Sequence, residues 1–485
     1  MGYLQSDSRN LTMIMDFYEL TMANGYFLDQ NTSRKVTFDV FYRQNPDKGG
    51  FAIFAGLEQI VEYLENMHFD EDDISYFKSL GIFSEGFLNY LKDFRFKGDV
   101  YAFPEGTIMY PNEPILTVKA PLIDAQLIET AILAEVNHQS LIATKAQRIV
   151  RAAKGRVVSD FGARRAHNMD AAVYGARAAY IGGAASTATV LAGKLFGIPV
   201  SGTMAHSFIM YYDDEYTAFK RYAEVYPDNC QFLIDTYDVM HSGLPNAIKV
   251  ANEVLIPQGK RLKGVRIDSG DLAYLSKRVR KVLDEVGFND CKIIASNSLD
   301  EYTISSILDH QDGCIDIFGV GERLITAKSD PVFGCVYKMS AVEDGKNIYP
   351  RIKVSETYEK ITNPDHKGIY RIYDSEGHAI ADLITKIDEK LDFSNPYQYV
   401  DPRKPWKTRF FENCTFKPLQ ELIVKDGKRT KELPSLDEIR SYVKSQLENE
   451  IWPEEQRFEN PHMHYLDMSP EYYALKSEML RHVKC

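Results

Sequence analysis

Cysteine is scarce in these 485 residues, and none of the six is arranged as C-x-x-C. Cys230, Cys291, Cys314, Cys335, Cys414 and Cys485 are scattered, four of them in or near strand-like runs. Buried free thiols are therefore expected, not a disulfide framework or a zinc site. Positive charge is short as well: the formal net charge of −12 leaves no basic excess for a general nucleic-acid or membrane-surface binder. No apolar run approaches membrane-spanning length, and the first residues lack the basic-then-apolar pattern of a secretory signal, which points to the cytoplasm. The nucleotide fingerprints are missing too. There is no G-x-x-x-x-G-K-[ST] and no complete G-x-G-x-x-G, so neither a Walker site nor a Rossmann dinucleotide site is supported.

What is present is a globular composition, 44 % hydrophobic with 12 % aromatic residues, in a chain long enough for two or three domains. Residues 1 to about 30 give a helical segment around DFYELTMANGYF, and 35–57 and 97–120 alternate as short strands around LEQIVEYLENM, a helix. Asp124 is placed to cap a long helix that Gly155 stops. A βα rhythm then begins, with strands expected in RVVSD (156–160), IPVSGT (198–203), CQFLIDTYD (230–238), KGVRIDSGD (263–271), KIIASNS (292–298) and IDIFGVGER (315–323). Six such units fall short of the eight of a regular barrel, so an irregular, incomplete α/β barrel is expected. After about residue 335 the pattern returns to hairpins, marked by Asp-Gly and Glu-Gly turns. The organisation expected is an N-terminal α+β domain (1–125) completed by hairpins from about 335–390, a barrel (126–334) and a C-terminal extension (391–485).

The strand ends are all polar, and loops at the C-terminal ends of parallel strands are where such folds place their chemistry. They carry Ser159, Asp160, Arg164 and Arg165; Ser201, Thr203 and His206; Asp235 and Asp238; Arg266, Asp268 and Asp271; Asn297; and Gly319 and Gly321. Helix capping absorbs a few, Asp271 and Asp300 among them, but not all, because buried unpaired charge is costly. Arginines interleaved with aspartates suit an anionic substrate held with Mg²⁺. Backbone N–H groups around Gly319 and Gly321 suit a phosphate. Asp213-Asp214 reads as a solvated acidic loop.

The segments DFYELTMANGY, GGFAIFAGL, DFGARRA (160–166), YIGG…VLAG (180–193), GTMAHSF (202–208), RIDSGD (266–271), FGVGERL (318–324) and IWPEEQRFENPH together resemble the nicotinate phosphoribosyltransferase family, essentially end to end. The resemblance implies an irregular barrel with a split α+β domain and a C-terminal extension, working as a homodimer with shared active sites. It implies transfer of phosphoribosyl from 5-phosphoribosyl 1-diphosphate to nicotinate, with Mg²⁺ as cofactor and ATP as a coupled substrate. His206 would be the transiently phosphorylated histidine. Phe161 and, from the partner subunit, Tyr18 would clamp the pyridine ring. Asp235 and Asp268 would steady the ribosyl group and reach the metal through water. Arg164, Arg165, Thr203 and Arg266 would bind substrate anions, and Gly270, Asn297, Gly319, Gly321 and Thr326 the phosphate. Ser186 and Thr187, in a loop without Asp or Glu, would receive the nicotinate carboxylate. Glu322 and Ala188-Thr189 depart from the family's usual residues. Alternatives are a nicotinamide or quinolinate phosphoribosyltransferase, or a phosphosugar-binding barrel without turnover.

Overall fold

The structure, a computed structural model, describes residues 9–482 except 346, 358–359, 392–396 and 403. The expected thiol at Cys485 lies outside the described residues; the other five cysteines are free, Cys230, Cys291 and Cys335 being buried. The chain divides into two compact units. One runs from Ile142 to Pro331, and the other joins the residues up to Leu141 with those from Val332 on. No described helix is long and apolar enough to cross a membrane.

The Ile142–Pro331 unit is built on a six-stranded sheet. Its row runs Ser186–Thr187, Val157–Asp160, Ile317–Val320, Lys292–Ser296, Gly264–Ile267 and Gln231–Leu233, and every neighbouring pair is parallel. Strands of this kind are covered on both faces and read as near-continuous apolar runs. VVSD, KIIAS and IFGV are accordingly buried along almost their whole length. The helices between them begin where a side chain satisfies free backbone N–H groups. Asn168 accepts from the Ala171 amide, Asp214 from Thr217, Asp271 from Tyr274 and Asp300 from Thr303.

One expected strand is replaced. IPVSGT contributes only an isolated bridge, Val200 to Thr187, and the paired strand is Ser186–Thr187 instead. The left-handed turn at Gly197 folds the chain back so tightly that a Cβ on Gly193 would lie 2.4 Å from Val200. Ser-Thr among alanines carries no apolar run, so periodicity did not mark it.

The other unit holds two larger sheets. The seven-stranded one is antiparallel throughout: Asn347–Pro350, Val336–Asp344, Lys35–Phe41, Leu116–Pro121, Asp99–Ala102, Glu421–Lys425 and Lys428–Arg429. Phe38 stacks on Tyr337 across it, with centroids 4.5 Å apart. The hairpin Lys367–Tyr373 to Ala379–Lys386 does not join this sheet. It pairs with Thr415–Pro418 and Leu466–Met468 in a separate six-stranded sheet with Tyr397–Val400 and Thr408–Phe411. Conversely, Glu421–Lys425, from the stretch expected to form an extension, pairs with Asp99–Ala102. Hairpin turns specify a local pair and leave the choice of sheet to side-chain packing.

Asp124 does not cap the long helix. It lies buried within the short helix Leu122–Gln126, its carboxylate accepts from the Lys97 amide at 2.8 Å, and burial raises its pKa to about 6. The long helix runs Glu129–Ala152. Ser435 caps Leu436–Asn449 in a reciprocal box with Glu438.

Candidate active site at the strand ends

Where the Val157–Asp160 strand ends, Asp160 turns the chain. It is buried, with one carboxylate oxygen accepting from the Gly162 amide and the other from the Thr187 hydroxyl, both at 2.8 Å. Burial holds its pKa above the ordinary aspartate value. The Phe161 amide donates to the Val320 carbonyl at 2.8 Å, fixing the next residue against the neighbouring strand. The Phe161 ring then lies over Gly319, where a Cβ would sit 2.5 Å from ring carbons. Gly319 is therefore a glycine because an aromatic ring occupies the place of its side chain.

The Arg266 guanidinium lies 5.6 Å from the Phe161 ring centroid, within cation–π range. It projects from Gly264–Ile267 and uses its whole fork. Nε donates to Ser296 Oγ at 2.8 Å, one terminal nitrogen to Thr203 Oγ1 at 3.1 Å and the other to Asp268 Oδ1 at 3.0 Å. A planar guanidinium held at three points cannot swing away, so its charge stays aimed at the space beside the ring.

His206 is the first residue of the His206–Tyr211 helix, its side chain 41 % exposed. Nδ1 is 3.2 Å from Thr236 Oγ1, and Nε2 faces Asp268 Oδ2 at 3.8 Å and Asp235 Oδ1 at 4.0 Å. The Asp235 side chain is 1 % exposed. Its Oδ2 accepts from the Asp268 amide and the Ser269 hydroxyl, while buried Oδ1 has no hydrogen-bond partner among the described residues. An orphaned buried carboxylate oxygen beside a half-exposed carboxylate is a fitting donor set for a hard divalent cation such as Mg²⁺, which takes one or two carboxylates and completes its shell with substrate oxygens and water. No described group of three His, Cys, Asp or Glu residues could hold a metal by itself, so the substrate would have to supply ligands.

The remaining candidates are placed differently. Arg164 and Arg165 are exposed on the turn Ala163–Arg165. Arg165 is 3.9 Å from Glu322, whose carboxylate takes the Lys328 ammonium at 2.7 Å and is held below its usual pKa by it. Glu322 is thus turned toward these cations. Arg164 has no partner among the described residues. Thr326 donates its hydroxyl to the Glu322 carbonyl. Gly321 packs over the Phe161 carbonyl, Gly270 has φ +78°, and Asn297, exposed after Lys292–Ser296, has φ +101°. A left-handed asparagine followed by left-handed Ser298 at a strand end is backbone strain of the kind that clusters at functional sites.

Ser186 and Thr187 are engaged within the unit. Both are buried; Ser186 bonds to Ser159 and Ser201, and Thr187 donates to Asp160. Their hydroxyls tie the two strands together. Tyr18 belongs to the other unit, on the Phe17–Leu28 helix capped by Asp16, and is 44 % exposed. Burial of its inner side and the Glu129 carboxylate hold its phenol protonated well above the usual pKa. Thr236, Ser269 and Ser296 went unnoticed in the sequence. Each is one position from a residue singled out, and a lone hydroxyl carries no pattern.

Three sequence models match the chain in order: the nicotinate phosphoribosyltransferase N-terminal domain over residues 13–137, the nicotinate phosphoribosyltransferase family over 157–350 and the corresponding C-terminal domain over 366–476. A Bacillus subtilis protein named nicotinate phosphoribosyltransferase is 45 % identical over 478 residues, 98 % of this chain and 96 % of its own. A Caenorhabditis elegans protein of the same name is 35 % identical over 96 % of this chain and 93 % of its own. The crystal structure of human nicotinic acid phosphoribosyltransferase superimposes with a TM-score of 0.84 at 28 % identity, covering 96 % of this chain and all of that one.

Proposed function

The chain belongs to the nicotinate phosphoribosyltransferase family, and we propose that it joins nicotinate to 5-phosphoribosyl 1-diphosphate, releasing pyrophosphate and giving nicotinate mononucleotide for NAD salvage. The observation that carries this is the meeting of Phe161, Arg266 and His206 with two aspartates at the ends of one parallel sheet. The half-buried Phe161 ring gives the pyridine a face to stack on, and stacking with the ring fixed by Gly319 orients the pyridine nitrogen. Arg266 offers a charge to a substrate anion. The C1–O bond to pyrophosphate breaks with its electron pair leaving on oxygen, and the pyridine nitrogen lone pair forms the new C1–N bond. Asp235 and Asp268 offer negative charge to the ribosyl cation that develops between the two events. Mg²⁺, held by Asp235 and Asp268 directly or through water, would neutralise the leaving diphosphate.

ATP coupling fits His206. A ring nitrogen, half exposed and oriented by Thr236, accepts the γ-phosphoryl group as ADP leaves. The added charge beside Asp235 and Asp268 would redistribute the cation between them and substrate until water releases phosphate. The architecture we read as an incomplete barrel inserted in a split α+β domain. Exposed Phe17, Tyr18 and Met22 on one helix support a homodimer in which a second copy lends Tyr18. Buried free Cys230, Cys291 and Cys335 favour the reducing cytoplasm. Steady-state turnover with phosphoribosyl diphosphate, Mg²⁺ and each pyridine in turn, with and without ATP, tests the proposal. Nicotinate alone should be turned over well and ATP should stimulate it. Preference for nicotinamide or quinolinate, or binding without turnover, would overturn it.

A further inference from the structure

The unit formed by the two ends of the chain contains a cavity of about 300 Å³ whose lining includes Tyr110, Asn363, Asp401, Lys404, His464 and Lys476. Lys476, on the Pro470–His482 helix, is only 8 % exposed. Its ammonium donates to Asn363 Oδ1 at 2.8 Å, and no carboxylate of the described residues lies within ion-pair distance of it. A buried cation without a counter-charge is rare, because desolvation is then uncompensated. Burial and the like charge of Lys367 depress its pKa to about 8.

The neighbouring charges do not answer it. Lys367 is itself neutralised by Asp39. Of the lining residues, His464 stacks on Tyr110 with centroids 3.8 Å apart, and its nitrogens face Glu455 at 3.1 Å and Asp382 at 3.6 Å. Both carboxylates hold its pKa above the usual histidine value. Arg371 grips the same Asp382 with two hydrogen bonds. Burial beside Asp382 raises the Glu113 carboxyl's pKa far above its usual value. Asp382 is thus engaged by Arg371 and His464. Asp401, on the cavity itself, is 3.9 Å from Arg409. Lys404 adds a second cation to the lining, and Ile361, Met463, Met468 and Tyr465 make much of the rest apolar.

We propose that this cavity binds a small organic monoanion, a carboxylate on a compact apolar body, with Lys476 as its counter-ion. A carboxylate fits better than inorganic phosphate. The one buried ammonium matches one negative charge, and Ile361, Met463 and Met468 suit a compact apolar body better than the further oxygens of a phosphate dianion. The lining residues belong to a different unit from the strand-end residues, which lie in Ile142–Pro331, and the proposal does not depend on the reaction proposed for them.

The test uses the full chain and cyclohexanecarboxylate as probe, with binding followed by calorimetry. The wild type should bind it, saturating nicotinate should not displace it, and Arg266→Ala should leave the affinity unchanged. Lys476→Met should weaken it about tenfold or more, the size of one lost charge-assisted contact. Because methionine relieves a buried charge, that variant should melt no lower than the wild type. Absence of binding to the wild type, equal binding by Lys476→Met, displacement by nicotinate or tighter binding of inorganic phosphate would each overturn the proposal. Should Lys476→Met not fold, acylation of wild-type Lys476 near pH 8, read by mass spectrometry, decides. The probe should protect that lysine, and unchanged labelling would refute the site.

Discussion

Replacing Arg266 by alanine removes a guanidinium engaged at three points, by Ser296, Thr203 and Asp268, beside the Phe161 ring. Two losses follow, and they are separable. The fold loses hydrogen bonds among partly buried groups, but Ser296 still donates to Asp268, and water can reach what is left. The cost to stability should be about 1–2 kcal/mol. The substrate loses a fixed, largely buried cation, and losing one charge-assisted contact of that kind costs about 2–4 kcal/mol in kcat/KM, or roughly 30- to 1000-fold. Arg266→Lys keeps the charge without the planar fork and should recover part of the loss, about tenfold over alanine. Steady-state kinetics varying each substrate, with melting curves of both variants, measure the two effects independently. An alanine variant with a lowered melting temperature but wild-type kcat/KM would show that Arg266 is only a clamp between strands. A lysine variant as poor as alanine would show that geometry and not charge is what the substrate uses.

His206→Ala should lose ATP hydrolysis and all ATP stimulation while keeping slow ATP-independent transfer; an alanine variant that still hydrolyses ATP in step with product would end the phosphoryl-carrier role. Gly319→Ala puts a methyl group 2.5 Å from the Phe161 ring, and relieving that overlap costs about 1–3 kcal/mol. The ring should tilt and the KM for nicotinate should rise about tenfold or more with kcat less affected, whereas an unchanged KM would remove Phe161 from the pyridine site. Glu19 is buried, accepts from the Thr130 amide and hydroxyl, and has its pKa raised to about 7, chiefly by burial. Its stabilising contribution is therefore full below the unfolded value near 4.5 and is lost as pH rises through about 7. Melting temperatures from about pH 5 to pH 8 should fall less steeply in Glu19→Gln, by the equivalent of roughly 1–2 kcal/mol after allowing for solvent screening. Parallel curves for the two proteins would refute this.

The sequence by itself determined the parallel strands with polar ends, because a buried strand writes itself as a continuous apolar run and the residue after it as a break. RVVSD, KIIAS and IDIFGVG are legible for that reason, as are the caps Asp271 and Asp300, whose partners lie three residues on. It also placed Asp235, Arg266 and Asp268 at strand ends, although not within reach of one another; His206 follows a run expected as a strand that forms only an isolated bridge. Tertiary structure alone decided the rest, since each outcome turns on residues far apart in the chain. Ser186 and Thr187 face inward because Ser159 and Asp160, more than two turns of helix away in sequence, take their hydroxyls. Gly319 lacks a side chain for the sake of Phe161. The hairpin at 367–386 joins Leu466–Met468 and not Lys35–Phe41, a choice its Glu-Gly turn does not encode. Lys476, an unremarkable lysine in a charged helix, becomes a buried cation only when residues near 110, 363 and 464 close around it. Periodicity reports which face of an element is covered; what covers it is settled by packing between distant segments, and a single sequence carries no record of that.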